Sequence, residues 1–236
     1  MIILRIGGFF MKYYYIDTPE KPIIDVFVPR IPVRRMSEEN VEIPRICLST
    51  SIEGCFTAAP WGSECLEYRP YCVVYRVYEF DGDKIPKNHI FTTEKLAKED
   101  FVPDAMFTNE TWVIEQNLIP DDMYYIILDD YETDVVGEEE SNYDFYEVIK
   151  NADIREVEDV IFITELSFED NNPTIESSWI NYILECFSYF FFREVDIEKK
   201  GEDTKIIFPR PHVFAMEHLE KLSQIMDNAG VTLKYR

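Results

Sequence analysis

Three hydroxyl side chains, Ser49, Thr50 and Ser51, follow one another where an alternating apolar run ends and a segment of small and apolar residues begins. Residues 45–48 predict a strand and residues 52–59 a short helix, so the hydroxyls fall between the two elements. Hydroxyls beside a helix N-terminus suit a phosphate or pyrophosphate, because the N–H groups and dipole of the helix favour an anion there. The plainer interpretation is that one hydroxyl caps the helix. The sequence leaves both interpretations open.

A carboxylate that could do chemistry is Glu110, which comes directly before a strand predicted at residues 111–115. A fixed carboxylate in a site that excludes water can stabilise positive charge that develops on a sugar. Aromatic side chains able to sandwich a flat ring occur at residues 13–15 and at Phe56. Most tyrosines in such strands simply pack in the core, and Glu110 equally fits a solvated turn.

The elements that must position these side chains are mostly strands. Periodicity and turn residues predict strands at residues 13–16, 23–27, 45–48, 71–80, 111–115 and 124–128, and helices at residues 52–59 and 93–100. Residues 30–42 are rich in proline and charge and predict a long irregular loop. A loop of this length inside a compact domain is more often functional than idle.

The later part of the chain predicts a mixture of helices and strands. Helices are predicted at residues 143–152, 172–192 and 211–229, and strands at residues 159–166, 205–208 and 231–235. Taken together, the patterns predict an α+β protein. Its strand-rich core comprises residues 1–130, and an acidic α/β region, which can form a small second domain, comprises residues 131–236.

The order of these features over residues 12–128 resembles the ADP-ribosyltransferase superfamily. In that family a first strand supplies a His or Arg for the nicotinamide ribose, and a later strand carries a Ser-Thr-Ser motif. A late Glu at a strand start stabilises the oxocarbenium-like ribose as nicotinamide leaves. The resemblance implies an ADP-ribosyltransferase-like N-terminal core, with NAD bound by Ser49, Thr50 and Ser51 and with Glu110 as the catalytic residue.

The first strand departs from the family pattern. Tyr15 falls near the position of the expected His or Arg, and this strand contains no His. Tyr15 and Phe56 complete the predicted cofactor-binding residues, as stacking partners of the nicotinamide ring. Residues 44–59, 71–80 and 110–113 also look like small uncharacterised proteins of Gram-positive bacteria and their phages. This second resemblance implies a phage or mobile-element protein that modifies a host macromolecule, with an anti-defence role.

The charge of the chain supports a rival hypothesis. There are 46 acidic and 23 basic side chains, for a net charge of −23, which argues against binding to nucleic acid or to an anionic membrane. Such a charge suits a non-enzymatic inhibitor that mimics nucleic acid and binds a basic protein partner. A solvated face that only keeps the protein soluble is the alternative. The residues expected to carry this charge are Asp129, Asp130, Glu132, Asp134, Glu138, Glu139, Glu140 and Asp144.

Cysteine and histidine patterns predict neither a disulfide scaffold nor a metal site. The five cysteines include no C-x-x-C pair, and only three histidines are present. Cys47 and Cys55 lie in apolar runs and are predicted to be small core residues. The apolar start at residues 1–10 is too short to span a membrane and can be an extension that precedes Met11. These features predict a cytoplasmic protein.

Overall fold

The computed structural model describes residues 11–33, 35, 37–58, 74–129, 153–170, 196–200, 203–228 and 230–236. Within these residues the chain forms two antiparallel sheets and four α-helices. The predicted α+β class is therefore confirmed. None of the described helices is long and apolar enough to cross a membrane.

The first sheet has seven antiparallel strands. They are β1 (Lys12–Asp17), β2 (Ile46–Ser49), β3 (Tyr75–Asp81), β4 (Ile90–Phe91), β5 (Glu110–Val113), β6 (Asp122–Asp129) and β7 (Asp153–Val157). Their order across the sheet is β4-β5-β2-β1-β3-β6-β7. β-Branched and aromatic residues are frequent in these strands because they fit a pleated and half-buried surface. The order places β1, β2 and β5 side by side, although β5 comes much later in the chain than β2.

One face of this sheet, here called the aromatic face, is defined by Tyr13, Tyr15, Phe27, Tyr78 and Phe80, which share one hydrophobic cluster. Successive side chains of a strand point to opposite faces, so Tyr13 and Tyr15 lie together and Tyr14 lies on the other side. The Phe27 ring contacts the Tyr15, Tyr78 and Phe80 rings with centroids 5.1–5.2 Å apart. On this face Tyr13 is buried and Tyr15 is half-buried.

Three short helices cover the opposite face, here called the helical face. They are α1 (Ile52–Ala58), α2 (Thr93–Lys98) and α3 (Ala105–Thr108). Phe56 of α1 packs edge-on against Tyr75 of β3, with ring centroids 4.7 Å apart. Leu96 of α2 and Ala105 of α3 pack with Trp112 of β5, and all three are fully buried. The helices therefore enclose the side chains that β2 and β5 present on this face.

The second sheet has four antiparallel strands and one helix. The strands are β8 (Val160–Asp170), β9 (Asp196–Lys200), β10 (Asp203–Ala215) and β11 (Val231–Tyr235), in the order β11-β8-β10-β9, and the helix is α4 (Met216–Asn228). Leu219 and Met226 of α4 pack with Phe168 of β8 and Ile206 of β10 in one buried cluster. This packing gives the second sheet a core of its own.

The two sheets meet through apolar and polar contacts. Val74 and Ile127 cluster with Val213 and Ala215 of β10. Close by, Nδ1 of His212 lies 2.8 Å from a carboxylate oxygen of Glu20, in the loop after β1. Burial by itself raises the pKa of Glu20, but the hydrogen bond and charge of His212 leave that pKa below its ordinary value. The junction therefore combines apolar packing with a contact between His212 and Glu20.

The predicted helix at residues 211–229 is wrong at its start. Residues 211–215 continue β10 beyond an irregularity between Ile207 and His212, and α4 begins only at Met216. The reason is burial on both sides of the strand: Val213 packs toward the first sheet and Phe214 into the second core. A strand buried on both faces has no polar alternation, so its sequence is easily mistaken for part of a helix. His212 is accordingly a strand residue.

The strand predicted at residues 23–27 is also absent. Only Phe27 pairs, through an isolated bridge to Leu118, while Ile23 and Val26 are exposed. The irregular loop predicted at residues 30–42 contains no helix or strand among its described residues. Four short elements went unpredicted from the sequence, namely β4, α3, β7 and β9.

Several predictions concern parts of the chain that lie outside the described residues. They are the helices at residues 143–152 and 172–192 and the acidic side chains from Asp130 to Asp144. The predicted boundary at residue 130 falls between β6 and β7, which pair within the first sheet. The first sheet therefore draws one strand from the acidic second part of the chain.

Candidate functional site

The strands that carry the hydroxyl residues and Glu110, β2 and β5, are direct neighbours in the first sheet, and β1 lies on the other side of β2. Ser49, the last residue of β2, is paired in register with Tyr14 of β1 and with Glu110, the first residue of β5. Side chains of directly opposed residues project from the same face of a sheet. Tyr14, Ser49 and Glu110 therefore share the helical face, and these three residues are here called the β1–β2–β5 site.

The serine hydroxyls hold the turn between β2 and α1. Ser49 Oγ donates to the carbonyl of Thr108 at 2.9 Å and accepts from the N–H of Ser51 at 3.3 Å. Ser51 Oγ accepts from the N–H of Gly54 at 3.0 Å, which makes Ser51 the N-cap of α1. The capping interpretation is thus confirmed for Ser51. Thr50 is exposed, so its side chain is open to a ligand.

Helix α1 approaches the end of β2 closely because residue 54 is glycine. A Cβ at this position would lie under 3.0 Å from Ser49 Oγ and from the carbonyl oxygen of Thr108. The missing side chain lets α1 settle on the Ser49–Thr108 hydrogen bond. Glycine ordinarily weakens a helix, but at position 54 its lack of a side chain is what allows the close contact.

The Glu110 carboxylate is buried rather than solvated. Glu110 is 9% exposed, and its Oε1 accepts a hydrogen bond from Trp112 Nε1 at 2.6 Å. Burial raises the pKa of Glu110 to about 7, although the hydrogen bonds from Trp112 and Cys47 act in the opposite direction. The interpretation of Glu110 as a solvated turn residue is therefore wrong.

An aromatic stack lies beside Glu110. The Arg45 guanidinium lies 3.9 Å from the centroid of the Trp112 ring, which stacks on Phe101 at 5.9 Å, and Phe101 stacks on Phe91 at 6.1 Å. A guanidinium over an indole ring is a favourable cation–π contact. The stack fixes the Trp112 ring, and with it the direction of the N–H that the ring donates to Glu110.

Two predicted cofactor-binding residues do not join the β1–β2–β5 site. Tyr15 lies on the aromatic face, across the sheet from Glu110, and burial raises its pKa to about 12. Phe56 is on the helical face, but it is 1% exposed and is occupied by its contact with Tyr75. The tyrosine that does share a face with Ser49 and Glu110 is Tyr14.

Sequence reasoning missed three residues around Glu110. Glu39 comes from the long loop, Arg45 precedes β2, and Cys47 lies in β2. Glu39 forms a buried ion pair with Arg45, and a hydrogen bond joins Cys47 to Glu110. The one available signal was alternation, since residues 45, 47 and 49 of a strand must share a face.

No protein-family model, curated protein or solved structure matches this chain.

Proposed function

We propose that the protein binds NAD at the β1–β2–β5 site and transfers ADP-ribose to a macromolecule. One observation carries the proposal: Ser49 stands in register between Tyr14 and Glu110 on three adjacent strands. The ADP-ribosyltransferase resemblance requires that a first strand, a hydroxyl strand and a glutamate strand converge. These three strands are far apart in the chain, and antiparallel pairing brings them side by side.

The hydroxyls divide into two roles in this proposal. The hydroxyls of Ser49 and Ser51 form hydrogen bonds with the protein backbone, and these bonds shape the turn that ends β2. Thr50 is exposed and is the hydroxyl that would contact the cofactor. Tyr14, which is partly exposed, takes the place of the missing first-strand cation and would bind through its ring and phenol.

Glu110 supplies the negative charge that the reaction needs. As the bond between nicotinamide and ribose breaks, the electron pair leaves with nicotinamide and positive charge develops on the ribose. A carboxylate fixed by Trp112 in a dry site stabilises that charge more strongly than water would. A nucleophile of the target, or water in its absence, then bonds to the ribose carbon and loses its proton to solvent.

Release of nicotinamide from NAD tests this function without knowledge of the target. We expect the full chain to release nicotinamide slowly by hydrolysis, and Glu110→Gln to reduce the rate by on the order of 100-fold, because it removes the charge that faces the transition state. Glu42→Gln, at an exposed loop position, is the matched control and should leave the rate unchanged. Equal rates for Glu110→Gln and the wild type would refute the role of Glu110.

A second candidate function rests on a different part of the helical face. Glu79, which forms an ion pair with Lys12 at 2.7 Å, pairs in register with Asp122, and Tyr124 and Glu156 lie nearby on the same face. Burial and then the charge of Glu79 raise the pKa of Tyr124, with smaller contributions from Asp122 and Glu156. Carboxylates beside a tyrosine suit lysine and arginine side chains of a basic protein partner. Such binding would weaken with salt and would not respond to Glu110→Gln, which distinguishes it from the transferase proposal.

A further inference from the structure

A compact group of metal-ligating atoms lies under helices α2 and α3. One carboxylate oxygen of Glu39, one of Glu110 and the Sγ of Cys47 all lie within 4.8 Å of one another. The three residues come from the long loop, from β5 and from β2, so only the folded chain assembles them. Glu39 and Glu110 are each 9% exposed, which sets the group apart from the exposed acidic residues of the surface.

Each carboxylate of the group accepts a hydrogen bond from a side chain that does not belong to the group. Arg45 forms a buried ion pair with Glu39, and Trp112 Nε1 donates to Glu110 at 2.6 Å. The stack of Arg45 on Trp112 fixes both donors relative to each other. Metal ligands in proteins are characteristically oriented by such outer hydrogen-bond partners.

Charge also favours a divalent ion at this position. With both carboxylates ionised and Cys47 deprotonated, as metal binding requires, the group carries three negative charges, and the neighbouring guanidinium supplies only one positive charge. Buried charges that lack a counter-charge are costly, and a divalent cation would bring the group to neutrality. The thiol proton of Cys47 would leave to solvent as the metal–sulfur bond forms.

We propose that Glu39, Cys47 and Glu110 bind a divalent transition-metal ion of the Zn²⁺ type. A thiolate ligand disfavours Mg²⁺ and Ca²⁺, and mixed sulfur and carboxylate ligands suit Zn²⁺. Three protein ligands leave one tetrahedral position for water. The site does not depend on NAD, but the metal and the proposed transfer compete for the Glu110 carboxylate. If both proposals hold, the metal-bound form is inactive in transfer.

Titration of the metal-free full chain with Co²⁺, without NAD, tests this site. Co²⁺ replaces Zn²⁺ and gives a thiolate-to-cobalt charge-transfer band only when a cysteine is bound to it. We expect the wild type to show this band and Cys47→Ser to lose it. Cys55→Ser is the matched control, since Cys55 is also buried on the helical face but bonds to the Tyr14 carbonyl. That variant should retain the band.

Glu39→Gln serves as a second variant, in case Cys47→Ser does not fold. It should weaken Co²⁺ binding by at least about 100-fold, because loss of even an outer partner of a metal ligand costs 10–100-fold. Absence of the band from the wild type, or its survival in Cys47→Ser, would overturn the assignment. The NAD-free design separates this outcome from failure of the transferase proposal.

Discussion

Replacement of Glu110 by Gln is expected to raise the free energy of unfolding by on the order of 3 kcal/mol at about pH 8 and to leave it nearly unchanged at about pH 4. Burial holds the pKa of Glu110 at about 7, well above its ordinary value of 4.5. Between these two pKa values the folded protein binds a proton that the unfolded chain releases. A rise in pH through this window therefore destabilises the wild type. Gln cannot ionise and still accepts the Trp112 N–H.

Urea unfolding of both proteins at several pH values, with a chelator present, measures this effect. The difference between wild type and variant isolates Glu110, because every other titrating group is common to both. Glu42→Gln should shift the free energy of unfolding by less than about 0.5 kcal/mol at either pH, as expected of an exposed position. A pH-independent effect of Glu110→Gln would show that folding does not raise the pKa of Glu110.

Substitution of Gly54 by Ala is expected to destabilise the protein by about 2–3 kcal/mol, the cost of overpacking a tight contact. At an unconstrained helical position the same change would stabilise by up to about 1 kcal/mol. The sign reverses here because the new Cβ would collide with Ser49 Oγ and with the backbone carbonyl of Thr108. Thermal and urea unfolding give the magnitude.

A double variant shows which atoms cause this loss of stability. Ser49→Ala removes one of the two colliding oxygens, so Gly54→Ala should cost less in that background than in the wild type. Part of the cost should remain, since the Thr108 carbonyl is still in place. Stabilisation by Gly54→Ala alone would mean that α1 does not rest on the end of β2.

The strands were predictable to the extent that one face of each is buried. The central strands β1, β2, β3 and β6 all follow from alternation and β-forming residues. The error at residues 211–215 arose where a strand is buried on both faces and loses that alternation. β4 has only two residues and is too short to show a periodicity in the sequence.

The site was predictable by residue type but not by arrangement. A hydroxyl cap somewhere in residues 49–51 and Glu110 at a strand start can be read from local sequence, whereas the structure identifies Ser51 as the cap. The pairing of Ser49 with Glu110 depends on long-range strand register, which a single sequence does not show. The choice between Tyr14 and Tyr15 depends on the same register, and Glu39 reaches Cys47 only through the path of an irregular loop.

Calorimetric titration of NAD into the metal-free full chain tests the central claim most directly, because binding must precede any transfer. The account predicts saturable binding that weakens roughly fivefold in Thr50→Val, which keeps the shape of the side chain and removes its hydroxyl. Glu42→Gln is the control, because it changes an exposed position outside the site, and it should bind NAD as the wild type does. Absence of binding at millimolar NAD, or binding that Thr50→Val leaves unchanged, would contradict the assignment of the β1–β2–β5 site.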